Sequence, residues 1–205
     1  MKSKIKEMLV LQDEINRVVT EDWKQQGYPW YRAAMVESIE MLEHFGFKWW
    51  KKQTPDMAQV QLELVDIWHF MLSHYLEQSE SLESLADLLS PSELHKSDSD
   101  DLRALIDTFV GELASKKHFD TDVFYNMLAV TGLTFDDLYL QYLGKNTLNR
   151  FRQHNGYKDG SYIKIWNGLE DNEVLFQILA DINDSVSNTA EHIYNTLAIR
   201  YQAVS

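Results

Sequence analysis

Four carboxylates occur as two pairs, and in each pair the acidic residues are three positions apart. Glu37 and Glu40 belong to the stretch VESIE, and Glu63 and Asp66 belong to LELVD. On a helix, residues three apart project from the same face, with Cβ atoms about 5–6 Å apart. The 22 residues between Glu40 and Glu63 allow two helices to run antiparallel, so that the pairs can face one another. Carboxylates that converge must take up protons or bind a cation.

A hard divalent cation is the natural partner of such a group, and Mg²⁺ is the first choice because it accepts carboxylates together with phosphate oxygens. The alternative is that the acids lie on solvated helix faces, where glutamate is common. Apolar residues surround Glu63 and Asp66 and favour the metal site, since an uncompensated acid among apolar neighbours is costly.

A rival metal prediction uses Asp66 and His69 as half of a ferritin-like iron site. That site needs a second acidic-x-x-His motif on another helix. None of the other six histidines has an acid three residues before it. We therefore expect His69 to be a core histidine or to support a metal ligand from behind.

The segment from Lys145 to Lys164 is basic, although the whole protein is acidic. It contains five Lys and Arg against one acid, whereas the chain has 19 Lys+Arg, 32 Asp+Glu and a formal net charge of -13. Arg and Lys bind phosphate, and a backbone rich in Asn and Gly can approach it closely. We predict a polyphosphate clamp, with a surface turn of chance basic residues as the alternative. The residues assigned to the clamp are Lys145, Asn149, Arg152, Asn155, Tyr157 and Lys158.

Two amides interrupt the apolar stripe of the first predicted helix. Gln12 and Asn16 are four residues apart, which is one helical turn. An amide offers both a donor and an acceptor, so the pair could recognise a pyrimidine edge. Alternatively, the two amides lie at the edge of the stripe and contact water. The aromatic stretch FGFKWWKK could stack on a base, or could belong to the core or to a dimer interface.

These residues must be positioned by a chain of 205 residues, for which one domain over residues 1–205 is the better expectation. The apolar content of 44% is enough for a sizeable core, and the lack of cysteine excludes disulfides and thiolate metal sites. The net acidity argues against a nucleic-acid partner, which would need a broad basic face. No apolar run is long enough to cross a membrane, and no signal peptide is recognisable, so a cytoplasmic location is expected.

Apolar residues recur every three or four positions, which predicts an all-α fold, most simply an antiparallel helical bundle with one long phosphate-binding loop. In the stretch TPD, Thr54 is the predicted N-cap, with Pro55 in the first turn. Residues 77–101 are rich in Ser and acids, and we expect a peripheral, variable excursion with a short helix there. The predicted helices span about 4–20, 32–45, 55–77, 101–116, 120–130, 134–152, 170–182 and 187–202.

The chain resembles the dimeric, all-α dUTPases of kinetoplastids, Campylobacter and some phages, which belong to the all-α nucleoside triphosphate pyrophosphatases. The resemblance spans most of the chain apart from about 77–130. The motifs that carry it are LQDEIN (11–16), ESIE (37–40), FKWWK (47–51), ELVDIWHF (63–70), GKNTLNRFRQHNGYKDGSY (144–162) and WNGLEDN (166–172).

The resemblance implies Mg²⁺-dependent hydrolysis of dUTP to dUMP and pyrophosphate, by attack of water on the α-phosphate, in a homodimer; dUDP is a possible second substrate. It implies that the four acids bind the metal, with Glu37 first and Glu40 second as the group that orients or deprotonates water. It also implies that the clamp residues hold the phosphates. The residues implied for base and sugar are Gln12, Asn16, Trp49, Asp66 and Phe70.

Two alternatives remain at this point. The protein could be a pyrophosphatase for another nucleotide such as dCTP, because an amide can turn to suit either base edge. It could also be a protein-binding regulator that has kept the fold, although all four carboxylates and the basic segment are present.

Overall fold

A computed structural model describes residues 1–79, 81–91, 101–182 and 188–204. Within these ranges the chain forms α-helices, one short 3-10 helix at Trp23–Gln25 and one small hairpin. The predicted all-α class is confirmed. The helices are α1 (Lys2–Val19), α2 (Trp30–Phe45), α3 (Met57–Gln78), α4 (Leu82–Leu88), α5 (Leu102–Lys116), α6 (Thr121–Thr131), α7 (Phe135–His154), α8 (Asp171–Ala180) and α9 (Thr189–Gln202).

The helix α3 lies at the centre of the first core and packs against α1, α2, α6 and α7. Its apolar residues cover most of its circumference, which is typical of a helix buried on nearly all sides. Trp68, for example, is fully buried and stacks on Phe124 of α6. The acids of α3 are therefore carried by the most enclosed helix of this core.

The beginning of α3 differs from the sequence prediction. Asp56, not Thr54, is the N-cap, and its side chain accepts a hydrogen bond from the backbone N–H of Gln59. Pro55 precedes the helix instead of occupying its first turn. A carboxylate at this position satisfies an unpaired N–H and interacts favourably with the helix dipole. Asp56 therefore performs the capping role that was predicted for Thr54, two residues later in the chain.

A second core forms where the C-terminal half of α7 meets α8, α9 and the hairpin. Leu148 and Phe151 of α7 pack with Trp166, Ile178 and Leu197. The N-terminal half of α7 contributes to the first core, so one continuous helix joins both. The approach of α8 is close at Gly144, because a Cβ there would lie 2.9 Å from Leu179 Cδ1.

The hairpin consists of β1 (Ile165–Trp166) and β2 (Leu169–Glu170), paired antiparallel. Its two turn residues, Asn167 and Gly168, both have positive φ. This conformation favours the Asn-Gly dipeptide in tight hairpins. The sequence analysis did not predict the hairpin, although its turn signal is present.

The predicted excursion at 77–101 is described only in part. Its short helix, α4, packs against α1 and begins at an N-cap serine, Ser81, whose hydroxyl accepts from the N–H of Ser84. Residues 80 and 92–100 lie outside the described residues, as do 183–187, where the last helix was expected to begin. No helix in the described ranges is long and apolar enough to span a membrane.

Candidate functional site

Three of the four predicted carboxylates converge between α2 and α3. Oxygen atoms of Glu37, Glu63 and Asp66 lie within 4.8 Å of one another. The three-residue spacing on α3 places Glu63 and Asp66 on the face that α2 covers. Glu63 is buried, whereas Glu37 and Asp66 are partly exposed.

Burial and neighbouring negative charge raise the pKa of the two glutamates of this cluster. Burial and then the negative charge of Asp66 raise the pKa of Glu37 to about 7 and that of Glu63 to about 8. The two glutamates also share a hydrogen bond, and Nε2 of His44 lies 3.5 Å from Glu63 Oε1. Three clustered carboxylates, two of which have a raised pKa, are a donor set that fits a hard divalent cation.

Glu40 is not part of this oxygen cluster. It lies one helical turn after Glu37 on an exposed part of α2. Its negative charge nevertheless contributes to the raised pKa of both Glu37 and Glu63. The structure therefore brings three predicted ligands together and leaves the fourth at the rim.

Two buried cations of α7 lie beside the acidic cluster. Lys145 Nζ donates to Asp66 Oδ2 at 2.9 Å. Arg152 makes a two-bond ion pair with Asp171, at 2.7 and 2.8 Å, and its Nη1 donates to Asn149 Oδ1 at 3.1 Å. The predicted shared face of Lys145, Asn149 and Arg152 thus agrees with the structure. Asp171 was missed by the sequence analysis.

The basic segment is half helix and half loop, since α7 continues to His154. Asn155 caps α7, and its side-chain amide donates back to the carbonyl of Phe151. The N–H of Tyr157 donates to the carbonyl of Arg152, which fixes the first turn of the loop. Lys158 is exposed, and its Nζ lies 3.3 Å from the carbonyl of Val19.

A pocket of about 270 Å³ opens between α1, α3 and the end of α7. It brings together predicted residues from all three groups. Its lining includes Gln12, Asn16, Asp66, Phe70, Asn149, Arg152 and Tyr157. Base, metal and phosphate candidates therefore border one cavity.

The two amides of α1 are buried, which contradicts the alternative that they contact water at the edge of the apolar stripe. Gln12 is 4% exposed and Asn16 is 9% exposed. Gln12 Nε2 donates to Asn16 Oδ1 and to the hydroxyl of Ser73, and Asn16 Nδ2 donates to the same hydroxyl. Gln12 Oε1 lies 3.0 Å from the hydroxyl of Tyr142, which donates to it. Packing of α3 and α7 on α1 encloses this network.

His69 completes the network and is also part of the pocket wall. Burial, and then the charge of Lys145, lower the pKa of His69 to about 3, so the ring is neutral. Its Nδ1 lies 2.7 Å from Gln12 Oε1, an acceptor, which assigns the ring proton to Nδ1. Among the described residues Nε2 has no hydrogen-bond partner. His69 is thus buried, as expected, and makes its contact with an amide.

The aromatic wall of the pocket differs from the prediction. Phe70 lines the pocket and stacks on Trp30 at 6.3 Å, and Trp23 meets Trp30 edge to face. Trp49 is 90% exposed and lines a separate groove that includes Arg103. In a single chain, Trp49 does not border the pocket of the amides.

An acidic group that fits a divalent cation, nearby cations and a pocket with buried amides are the features expected of an enzyme that acts on a nucleotide. A family model described as dUTPase matches residues 4–157. The chain belongs to the dUTPase family and is an enzyme that hydrolyses dUTP, as the sequence resemblance implied. No curated protein matches the chain. The match includes the acids, the amides and the phosphate candidates up to Tyr157, with Lys158 just beyond it.

Proposed function

We propose that the protein hydrolyses dUTP to dUMP and pyrophosphate, with Mg²⁺, by attack of water on the α-phosphate. The observation that carries this proposal is that Asp66 and Arg152 line the same pocket as the two amides, while Lys145 and the other two acids of the cluster lie next to Asp66. A triphosphate can lie between carboxylates that hold a metal and cations that face them, with its base in the pocket.

In this proposal Glu37, Glu63 and Asp66 hold Mg²⁺, and Glu40 joins them from the rim. When bound, the ion neutralises phosphate charge and polarises the P–O bonds. Glu37 is our first choice for the carboxylate that orients the attacking water and accepts its proton, and Glu40 is the second. Lys145 donates a hydrogen bond to Asp66, which supports the proposal that a phosphate group bound by Lys145 lies close to the metal ion.

The phosphates are assigned to the cationic face of α7 and the following loop. Arg152 uses Nε and Nη2 for Asp171, so Nη1 is the nitrogen left to share between Asn149 and a ligand. The amide nitrogen of Asn149 is an additional donor on the same side. Asn155, Tyr157 and Lys158 complete the proposed clamp, and Tyr157 lies on the pocket wall.

The base assignment follows from the hydrogen-bond inventory of the amide network. Gln12 uses its oxygen and its nitrogen within the protein, whereas Asn16 keeps one N–H and one lone pair. Asn16 therefore has a donor and an acceptor left for a base edge, and the family match favours uracil as that base.

The sugar is assigned to Phe70 and Asp66. Both line the same pocket, next to the base side and the metal side respectively. We propose that Asp66 accepts from the 3′-hydroxyl and that the ring of Phe70 fills the space that a 2′-hydroxyl would need. This arrangement supports selection of a deoxynucleotide.

We further propose a homodimer, supported by an apolar face on α2. Val36 and Ile39 are 54% and 50% exposed, and they share a surface groove with Met35. Exposed apolar residues one turn apart on a helix are typical of an interface. Stacking of Trp49 on a base stays a prediction. Because Trp49 does not border the amide pocket of its own chain, it would have to reach the amide pocket of the other subunit of the dimer.

A pyrophosphate-release panel tests the function. The triphosphates are dUTP, dTTP, dCTP and UTP, each with Mg²⁺ and with EDTA. The diphosphate dUDP is assayed beside them by release of inorganic phosphate, because its hydrolysis to dUMP yields no pyrophosphate. We expect release from dUTP alone among the triphosphates at low concentration, and none with EDTA. In H₂¹⁸O the label should enter dUMP, because attack occurs at the α-phosphate; label in pyrophosphate would contradict it. Glu63→Gln should abolish turnover, and Glu77→Gln, on the same helix, should not.

A further inference from the structure

The most deeply buried ion pair at the site involves an acid that has no role in the function proposed so far. Asp171 is fully buried, with 0% exposure. Its Oδ2 accepts from Arg152 Nε at 2.7 Å and from the hydroxyl of Tyr162 at 2.8 Å, and its Oδ1 accepts from Arg152 Nη2 at 2.8 Å. A parallel pair of hydrogen bonds to a carboxylate fixes both the position and the plane of a guanidinium group.

Asp171 is itself held rigidly by the C-terminal part of the chain. It is the first residue of α8, and its backbone N–H donates to the carbonyl of Lys164 at 3.0 Å. The capping box between Glu170 and Glu173 fixes the start of α8 directly before and after it. The carboxylate therefore contacts Arg152 from the N-terminal end of α8, which directly follows the β1–β2 hairpin.

The next residue extends this contact to the second cation. Asn172 Oδ1 lies 3.3 Å from Lys145 Nζ and 3.4 Å from Arg152 Nη2. Lys145 is thereby placed between Asn172 on one side and Asp66 on the other. Asn172 thus contacts both buried cations of the proposed clamp, and Asp171 contacts one of them, Arg152.

We infer that Asp171 is a positioning residue, which orients Arg152 for phosphate binding with the help of Tyr162, while Asn172 aligns Lys145. Neither Asp171 nor Asn172 lies in the segment 4–157 that matches the dUTPase family. The inference rests on the proposed function to the extent that Arg152 is a phosphate ligand. It makes α8 part of the phosphate clamp, through contacts made behind the ligand side chains.

A purely structural role for Asp171 would have a different signature. In that case its loss would only weaken the second core, and any variant that weakens this core equally would behave in the same way. Leu197→Ala provides the matched control, because Leu197 is fully buried in the second core and is not among the residues assigned to the site. Both variants are compared below their melting temperatures, where each is folded.

The measurements are the affinity for pyrophosphate with Mg²⁺, by calorimetry, and KM and kcat for dUTP. We expect Asp171→Asn to weaken pyrophosphate binding and raise KM by about 10- to 100-fold, by analogy with residues that orient metal ligands, whose loss has an effect of this size. Leu197→Ala should lower the melting temperature and leave both quantities within about twofold. Equal effects of the two variants would overturn the inference.

A double variant connects Asp171 to Arg152. Arg152→Lys cannot form the two-bond pair. If Asp171 acts through Arg152, the double variant Arg152→Lys/Asp171→Asn should bind pyrophosphate no more weakly than the more impaired of the two single variants. Additive losses of affinity in the double variant would overturn the inference. Should Asp171→Asn fail to fold, Tyr162→Phe decides: a severalfold loss of pyrophosphate affinity supports the role, and an unchanged affinity refutes it. If the wild-type enzyme binds no pyrophosphate and releases none from dUTP, the proposed function itself has failed.

Discussion

The acidic cluster predicts an unusual dependence of stability on pH in the metal-free protein. For an acid whose pKa is raised by folding, the folded state holds the proton more tightly than the unfolded chain does. The resulting stability is complete below the unfolded pKa and is lost as the pH rises through the folded pKa. For Glu63 this window runs from 4.5 to about 8, and for Glu37 it ends at about 7.

The magnitude follows from the size of these shifts. One pKa unit corresponds to about 1.4 kcal/mol, so a shift such as that of Glu63 is worth several kcal/mol. Glu63→Gln keeps the shape of the side chain and removes its charge, while Glu37 and Asp66 continue to repel each other. We therefore expect Glu63→Gln to raise the stability of the metal-free protein at pH 8 by about 2–4 kcal/mol, or the melting temperature by roughly 5–10 °C.

The assay is thermal unfolding in EDTA from pH 5 to pH 9, repeated with Mg²⁺. Wild type should lose stability above pH 5 in EDTA and regain it with Mg²⁺, which binds only the folded site. Glu63→Gln should show a flatter pH profile and little response to Mg²⁺. Glu77→Gln, at the far end of α3, should follow wild type. A wild type that becomes more stable between pH 5 and pH 8 without metal would refute the reasoning.

Three further predictions concern the base, the loop and the fold. Asn16→Ala should reduce kcat/KM for dUTP at least about tenfold, since an unpaired base edge costs about 1–3 kcal/mol; Gln12→Ala should also lower the melting temperature, because it leaves buried partners unpaired. Hydrogen exchange in residues 155–164 should slow when a non-hydrolysable dUTP analogue and Mg²⁺ bind, and equal exchange would count against the clamp. Thr134→Ala removes the capping box of α7 and should cost about 1 kcal/mol in urea unfolding, with kinetics unchanged, whereas Thr108→Ala, on the exposed side of α5, should cost less.

The parts of the site that sequence could predict are those set by helical period. Glu63 with Asp66, and Lys145 with Arg152, share faces because three- and seven-residue spacings return to the same side of a helix. Their environment was predictable too, since the acids of α3 have apolar neighbours along the chain. Glu40 obeys the same spacing from Glu37 but lies at the rim, because the position of α3 relative to α2 decides which acids are enclosed.

The parts that sequence could not supply depend on contacts between distant segments. Gln12 and Asn16 interrupt an apolar stripe, and only the packing of Ser73 and Tyr142 against them shows that they are buried and paired. Similarly, nothing local distinguishes Asp171 from other acids in a first helical turn. Its role appears when the hairpin returns α8 to Arg152, 19 residues earlier in the chain.

The continuity of α7 through both cores has a consequence for how the chain can tolerate change in length. Each residue of an α-helix advances the direction of the next side chain by about 100°. One residue inserted between Tyr142 and Lys145 would leave the amide network in place and turn Arg152, Asp171 and the whole second core about a quarter of a revolution away from the acids. The close approach of Leu179 at Gly144 leaves no room to absorb that rotation. Insertions in the surface connections would leave the site residues in place. An insertion within α7 would change the orientation of its phosphate-binding residues relative to the acids.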